Sequence, residues 1–198
     1  MFFFEILLFT TSIVLVSLSI SGYGRLINFQ VNDNFFIDIF LGLVIITFII
    51  TTFHFFYNIN IIFSFFILMF GLIIFFYKKK FIFSRLLEKK NIFSLIIIFL
   101  YVPMFISQKY HEDFGYYHLP YALGFLEQKI VFGYANIDQS YVYNSIWLNL
   151  YSIFFFDEKN FNFLTFPSYL LFLSFILFSI NQIISKKRIL ISDYYLIT

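Results

Sequence analysis

Apolar residues run along this chain in blocks, not in the alternations of a half-buried strand or the stripes of a soluble amphipathic helix. A helix that crosses a bilayer needs about 20 mainly apolar residues. Residues 2–20 meet that need, interrupted only by Glu5. Residues 36–57 meet it with Asp38 near the start and His54 near the finish, and residues 60–77 meet it cleanly. Asn58-Ile59-Asn60 predicts a tight connection between those two. Residues 91–107 form a shorter block with Pro103 near its end, and residues 163–184 form a fifth. From Ile189 to Thr198 a further apolar stretch begins. The pattern predicts an all-α, polytopic transmembrane helix bundle.

The division is into four spans within residues 1–107, a non-membrane segment over 108–162, and a fifth span with the start of another segment over 163–198. That middle segment is still rich in Tyr, Phe, Leu and Ile, so it is expected to lie against the bilayer. Pro120 suits the first turn of a helix, where its missing N–H costs nothing. Leu119, Leu123, Leu126 and Ile130 then share one helical stripe. Farther on, Ser145, Asn149 and Ser152 form a polar stripe opposite Ile146, Leu150 and Ile153. Two amphipathic interfacial helices joined through Gly133-Tyr134-Ala135-Asn136 are predicted, with Trp147 and the tyrosines at headgroup depth.

Orientation follows from the basic residues. Arg25 lies between spans one and two; Lys78, Lys79, Lys80, Arg85, Lys89 and Lys90 lie between three and four; Lys186, Lys187 and Arg188 follow span five. Five spans put these on one side, which is then cytoplasmic. Lys109, Lys129 and Lys159 share the other side with Glu112, Asp113, Glu127, Asp138, Asp157 and Glu158. The N-terminus falls outside, and residues 108–162 face the periplasm of a bacterial inner membrane. Because the first twenty residues hold no Lys or Arg, they read as a retained span and not as a cleaved signal peptide.

Composition agrees. The chain is 61% hydrophobic and 12% charged, with a mean hydropathy of +0.88, against about 45–50% and about 25% in average globular proteins. The absence of cysteine rules out disulfides, thiolate metal sites and a cysteine nucleophile. No phosphate-binding glycine loop, GxSxG or HExxH is present. Nucleic acid is not an expected partner, because the cations flank spans instead of forming one basic face. With 35 Phe and 15 Tyr in the chain, an aromatic cluster alone carries little information about ligand stacking.

One cluster carries candidate chemistry: Tyr110-His111-Glu112-Asp113-Phe114-Gly115-Tyr116-Tyr117-His118-Leu119-Pro120, just outside span four. A carboxylate partly screened from water beside a second carboxylate can hold a proton into the range of a general base. Asp113 with His111 could also ligate Mg²⁺ or Mn²⁺, which favour oxygen donors and tolerate an imidazole. The alternative is a solvated loop that carries charges. Elsewhere, His54 near a span end reads as a satisfied histidine, Asp38 and Glu5 as boundary residues, and Asn181-Gln182 as a packing contact.

The run from Glu112 through Tyr121-Ala122 resembles the outer-loop motif of GT-C-fold integral membrane glycosyltransferases, in which an acidic residue precedes Tyr/His, Leu-Pro and a small residue. The resemblance covers residues 91–184 at most, and its specific part about a dozen. It implies Asp113 as catalytic base with Glu112 beside it, and Tyr116, Tyr117 and His118 shaping the substrate pocket. It implies a sugar arriving on a polyprenyl phosphate, for cell-envelope polysaccharide, with the phosphate neutralised by a metal or by Lys109 and Lys129. Complete members carry roughly twice as many spans, so the chain is expected to be the N-terminal part of such an enzyme, with further spans or another subunit as partner. A transporter or flippase of lipid-linked sugars would place ionisable residues or broken helices at mid-membrane, where this chain has Phe, Ile and Leu. A non-catalytic membrane subunit is the third reading.

Overall fold

The computed structural model describes residues 2–27, 35–77, 96, 99–103, 114–133, 136, 146–156 and 161–185. Most of these residues are helical, the rest lie in turns or irregular connections, and there is no strand among them. Helix α1 runs Phe2–Ile27, α2 Phe35–His54 and α3 Ile61–Tyr77. A π-helical turn, Phe114–His118, leads into α4, Leu119–Glu127. Helix α5 is Ile146–Ser152, and a 3₁₀ turn, Phe161–Thr165, leads into α6, Phe166–Ser185. Three stretches are long and apolar enough to cross a membrane: Ile6–Ile27, Phe35–His54 and Phe163–Ile180. Helix α3 is a shorter apolar helix of 17 residues.

Helix α1 packs against both α2 and α3, and α2 packs also against α5 and α6. Near its start, α1 meets α6 through Phe9, whose ring lies edge-on to Phe166 at 4.7 Å and against Phe163 and Tyr169. The core then follows Ile13, Ile20 and Tyr23 of α1, Leu43, Ile46 and Ile50 of α2, and Tyr169, Leu173 and Leu177 of α6.

In an apolar medium helices gain little from hiding apolar surface, so close backbone approach and internal hydrogen bonds must hold them. Both are present here. A Cβ on Gly24 would run into the backbone of Asp38, and one on Gly42 into the carbonyl of Ile20, so α1 and α2 touch main chain to main chain. Gly22 and Gly71 make the matching approach between α1 and α3. Beside them, the Ser19 hydroxyl donates to the Leu68 carbonyl at 2.6 Å and the Tyr23 hydroxyl to the Ile67 carbonyl at 2.7 Å. Hydroxyls pointing elsewhere return to their own helix, as Thr10 does to Ile6 and Thr47 to Leu43.

The end of α1, the start of α2 and the end of α3 converge on one ion pair. Arg25 Nε lies 3.0 Å from Asp38 Oδ2, with the two side chains 16% and 3% exposed. Nε is charge-paired there without forming a hydrogen bond. The guanidinium also sits 5.5 Å from the centre of the Phe75 ring, a cation–π contact. Asp38 is therefore more than a boundary residue: it is buried, and its charge is answered by Arg25.

Two outcomes test this packing. Asp38→Ala leaves the guanidinium without its counter-charge and should destabilise the protein by about 3–5 kcal/mol, while the Arg25→Met/Asp38→Met pair recovers most of that loss; unfolding in mixed micelles measures both. Gly42→Ala should lower the melting temperature, because α1 and α2 must separate. Gly124→Ala, where a Cβ meets nothing within 4 Å, should raise it through a helix-propensity gain of up to about 1 kcal/mol.

Candidate functional site

At the other end of α2 the polar groups of several elements meet. The connection after α2 turns back through hydrogen bonds from the Phe56 and Tyr57 amides to the Phe53 carbonyl. Asn60 then caps α3, its Oδ1 accepting the Phe63 amide at 2.9 Å. The predicted tight connection is thus also a helix start.

This turn also finishes α4. The last carbonyls of any helix lack an intrahelical partner, and those of α4 find theirs here. The Phe125 carbonyl accepts the Ile59 amide at 2.8 Å, and the Leu126 carbonyl accepts Asn58 Nδ2 at 2.8 Å. The Gln128 carbonyl, just past the helix, takes the ring of His54 at 3.0 Å through Nε2. In return the His54 carbonyl accepts the Ile130 amide at 3.0 Å.

His54 is wholly buried. A carbonyl can only accept, so Nε2 carries a proton. Nδ1 lies 3.1 Å from Asn149 Oδ1 on α5, and Asn149 Nδ2 donates to the Thr51 hydroxyl at 3.4 Å. Phe125 stands edge-on to the imidazole at 4.7 Å. The ring therefore ties α2 to α5 and to the end of α4. Sequence reasoning treated His54 as a satisfied histidine but had no means of naming its partners.

The amphipathic readings of α4 and α5 change accordingly. On α5, Asn149 and Ser152 are buried, and so are Leu150 and the following Ile153 from the opposite stripe, with Ile146 exposed at the helix start. The polar stripe faces inward, with Ser152 Oγ at 3.3 Å from the Ala122 carbonyl. On α4, Ala122 and Phe125 are buried, whereas Leu119, Leu123 and Leu126 are only half-buried. The buried face is roughly a quarter-turn from the leucine stripe. Pro120 sits in the first turn of α4, as its chemistry favours, and Gly133 closes the turn beyond with φ +92°.

The predicted site residues divide. His111, Glu112 and Asp113 lie outside the described residues, as do Lys109 and the Lys78–Lys80 run. The described part of the motif stands open: Tyr116 is 79% exposed, His118 is exposed at the head of α4, and nothing approaches Gly115. Tyr117 lies in the same π-helical turn. Among the described residues no group of three metal-ligating side chains comes together. Where α2, α5 and α6 part there is an apolar groove of about 700 Å³, lined by Phe36, Phe40, Trp147, Phe172, Phe175 and Phe178. Its hydroxyls are occupied: Ser168 is bonded to Tyr151 and Ser174 to the Leu171 carbonyl.

The architecture so far is that of an all-helical chain with membrane-length helices, carrying an open aromatic turn at the end where His54 is buried. The chain belongs to the family described as Domain of unknown function (DUF8201), which matches it over residues 4–198. No curated protein and no solved structure matches it significantly.

Replacing His54 by Ala removes its contacts to the Gln128 carbonyl and to the buried Asn149 side chain, and should cost about 1–3 kcal/mol, chiefly at Asn149. Amide hydrogen exchange should speed up over residues 124–130 and leave the middle of α1 unchanged. His54→Gln, which can still donate and accept, should be milder. Uniform acceleration along the chain would contradict the local role.

Proposed function

We propose that the chain is a polytopic membrane protein of the glycosyltransferase kind, the N-terminal part of an enzyme that takes sugar from a lipid-linked donor at the outer face of the membrane. The observation that carries the reading is the open Phe114–His118 turn. It follows directly on the two carboxylates Glu112 and Asp113 and leads into a helix fastened to the end of a membrane-length helix by His54. A reaction on a lipid-linked sugar needs that combination: a reactive group in reach of water and of the headgroups, on a support that does not move.

In this reading α1, α2, α3 and α6 are spans, residues 91–107 contribute another, and the basic connections face the cytoplasm of a bacterial inner membrane. Helix α4 lies near the interface, while α5 is drawn further in by Asn149. Asp113 removes the proton of the acceptor hydroxyl as its oxygen attacks the anomeric carbon, and the lipid phosphate leaves with inversion at that carbon. Glu112 beside it favours the proton-holding form. Tyr116, Tyr117 and His118 border the acceptor. Lys129 offsets the charge on the leaving phosphate; Asp113 and His111 would be the residues to hold Mg²⁺ or Mn²⁺, which would supply positive charge at the acceptor side of the site. The apolar groove between α2 and α6 supports a lipid substrate, since its lining suits hydrocarbon and leaves no polar group free.

Asp113→Asn, inserted into membranes at the normal level, should abolish sugar transfer by membranes that contain the complete enzyme. Full transfer by that variant would overturn the assignment. If a metal takes part, EDTA should inhibit and added Mn²⁺ or Mg²⁺ should restore activity.

A further inference from the structure

A second surface lies at the end of α2 that His54 closes. Phe132 is 80% exposed and Val131 46% exposed, at the tip of the turn that ends in Gly133. A soluble loop would place polar residues at such a tip. The Phe132 ring stacks on Phe55 at 5.8 Å, and beside Phe55 stand Phe56 and Tyr57, 66% and 64% exposed.

Two observations identify what covers this rim. The first is continuity. Phe40, Val44 and Phe48 are exposed at four-residue spacing along α2, and the same stripe runs on through Thr52 to Phe55 and Phe56. Across the connection, Ile62, Phe65 and Phe66 expose the start of α3. Along α2 the rim thus extends the apolar outer face of a membrane-length helix with Thr52 as the polar residue in the stripe, while the exposed Asn60, Glu127 and Lys129 border it on the other side. The second is level. His54 is the last residue of α2, and the tip is pinned to it by the Ile130 amide on the His54 carbonyl and by the ring on the Gln128 carbonyl. The tip can therefore neither rise far above nor sink far below the end of the span. Tyr at that level is characteristic of the water–membrane boundary, and Phe beside it is among the apolar side chains that bury at the headgroup–acyl junction.

We infer that Phe55, Phe56, Tyr57, Val131 and Phe132 form a rim that inserts into the lipid headgroup boundary, holding α4 at a fixed depth. The inference rests on α2 being a span but not on any enzymatic activity.

The chain has no cysteine, so Phe132→Cys and Phe48→Cys each give a single labelling position on the exposed surface. The labelled full chain is reconstituted in phosphatidylcholine/phosphatidylglycerol vesicles with an environment-sensitive fluorophore. Nitroxide lipids are added with the quencher either near the headgroup or deep in the acyl chain. Position 132 should emit blue-shifted light quenched most by the shallow nitroxide, and position 48 should be quenched most by the deep one. Water-like emission at 132, unmoved by either lipid while 48 is quenched, overturns the inference alone. Blue-shifted emission at 132 without lipid quenching points to a protein partner or a second copy and also overturns it. No quenching at either position removes the span itself, and the inference with it.

Discussion

Hydrocarbon offers no hydrogen-bond partner and no counter-charge, and the buried polar groups named above among the described residues answer to that constraint. The Arg25–Asp38 pair shows it most directly. A buried carboxylate is tolerable only when its charge is met, and the meeting requires α1 and α2 to approach until their backbones touch. Gly24 and Gly42 make that approach possible, and Phe75 closes the site from α3. Two glycines, two charges and an aromatic ring are therefore one structural unit, and replacing any one of them changes the surroundings of the others.

The opposite end of α2 solves the same problem with neutral groups. The terminal carbonyls of α4 would be orphaned in an apolar setting. They are taken up by Asn58, the Ile59 amide and His54. Asp38 lies in the first turn of α2 and His54 is its last residue, so these two knots stand about 24 Å apart along the helix, somewhat less than the thickness of about 30 Å of the hydrocarbon layer. Between them the contacts are apolar or are hydroxyls returned to backbone. The open Phe114–His118 turn leads into α4, whose far end is held by the second knot, away from the ion pair.

The long helices were legible because uncharged runs of membrane length have few alternative structures. The run Asn58-Ile59-Asn60 was legible as a turn, and Pro120 as a helix start, because both are local preferences. The partners of Asp38 and His54 were not legible. Each depends on residues far along the chain, Asn149 being 95 positions from His54, and single-sequence periodicity carries no such information. The burial of Asn149 and Ser152 was not legible either, for a physical reason. A polar stripe suggests water when read alone, yet it serves equally well to satisfy a neighbouring helix inside an apolar protein. On α4 the sequence showed the leucine stripe, now half-buried, but not that Ala122 and Phe125 beside it would be the buried residues. The acidic residues of the motif lie outside the described residues, so their candidacy rests on sequence and on the open turn that follows them.

The most direct test is to ask on which sides of a membrane the two ends of α2 lie. Single cysteines at Gly115, where a side chain meets nothing, and at Ile27, exposed at the end of α1, can be treated with a membrane-impermeant maleimide in sealed vesicles of each orientation. Position 115 should react only from the outer face and position 27 only from the cytoplasmic face. Reaction of both from the same side would contradict the account, because the ion pair and the open turn would then share one side of the membrane.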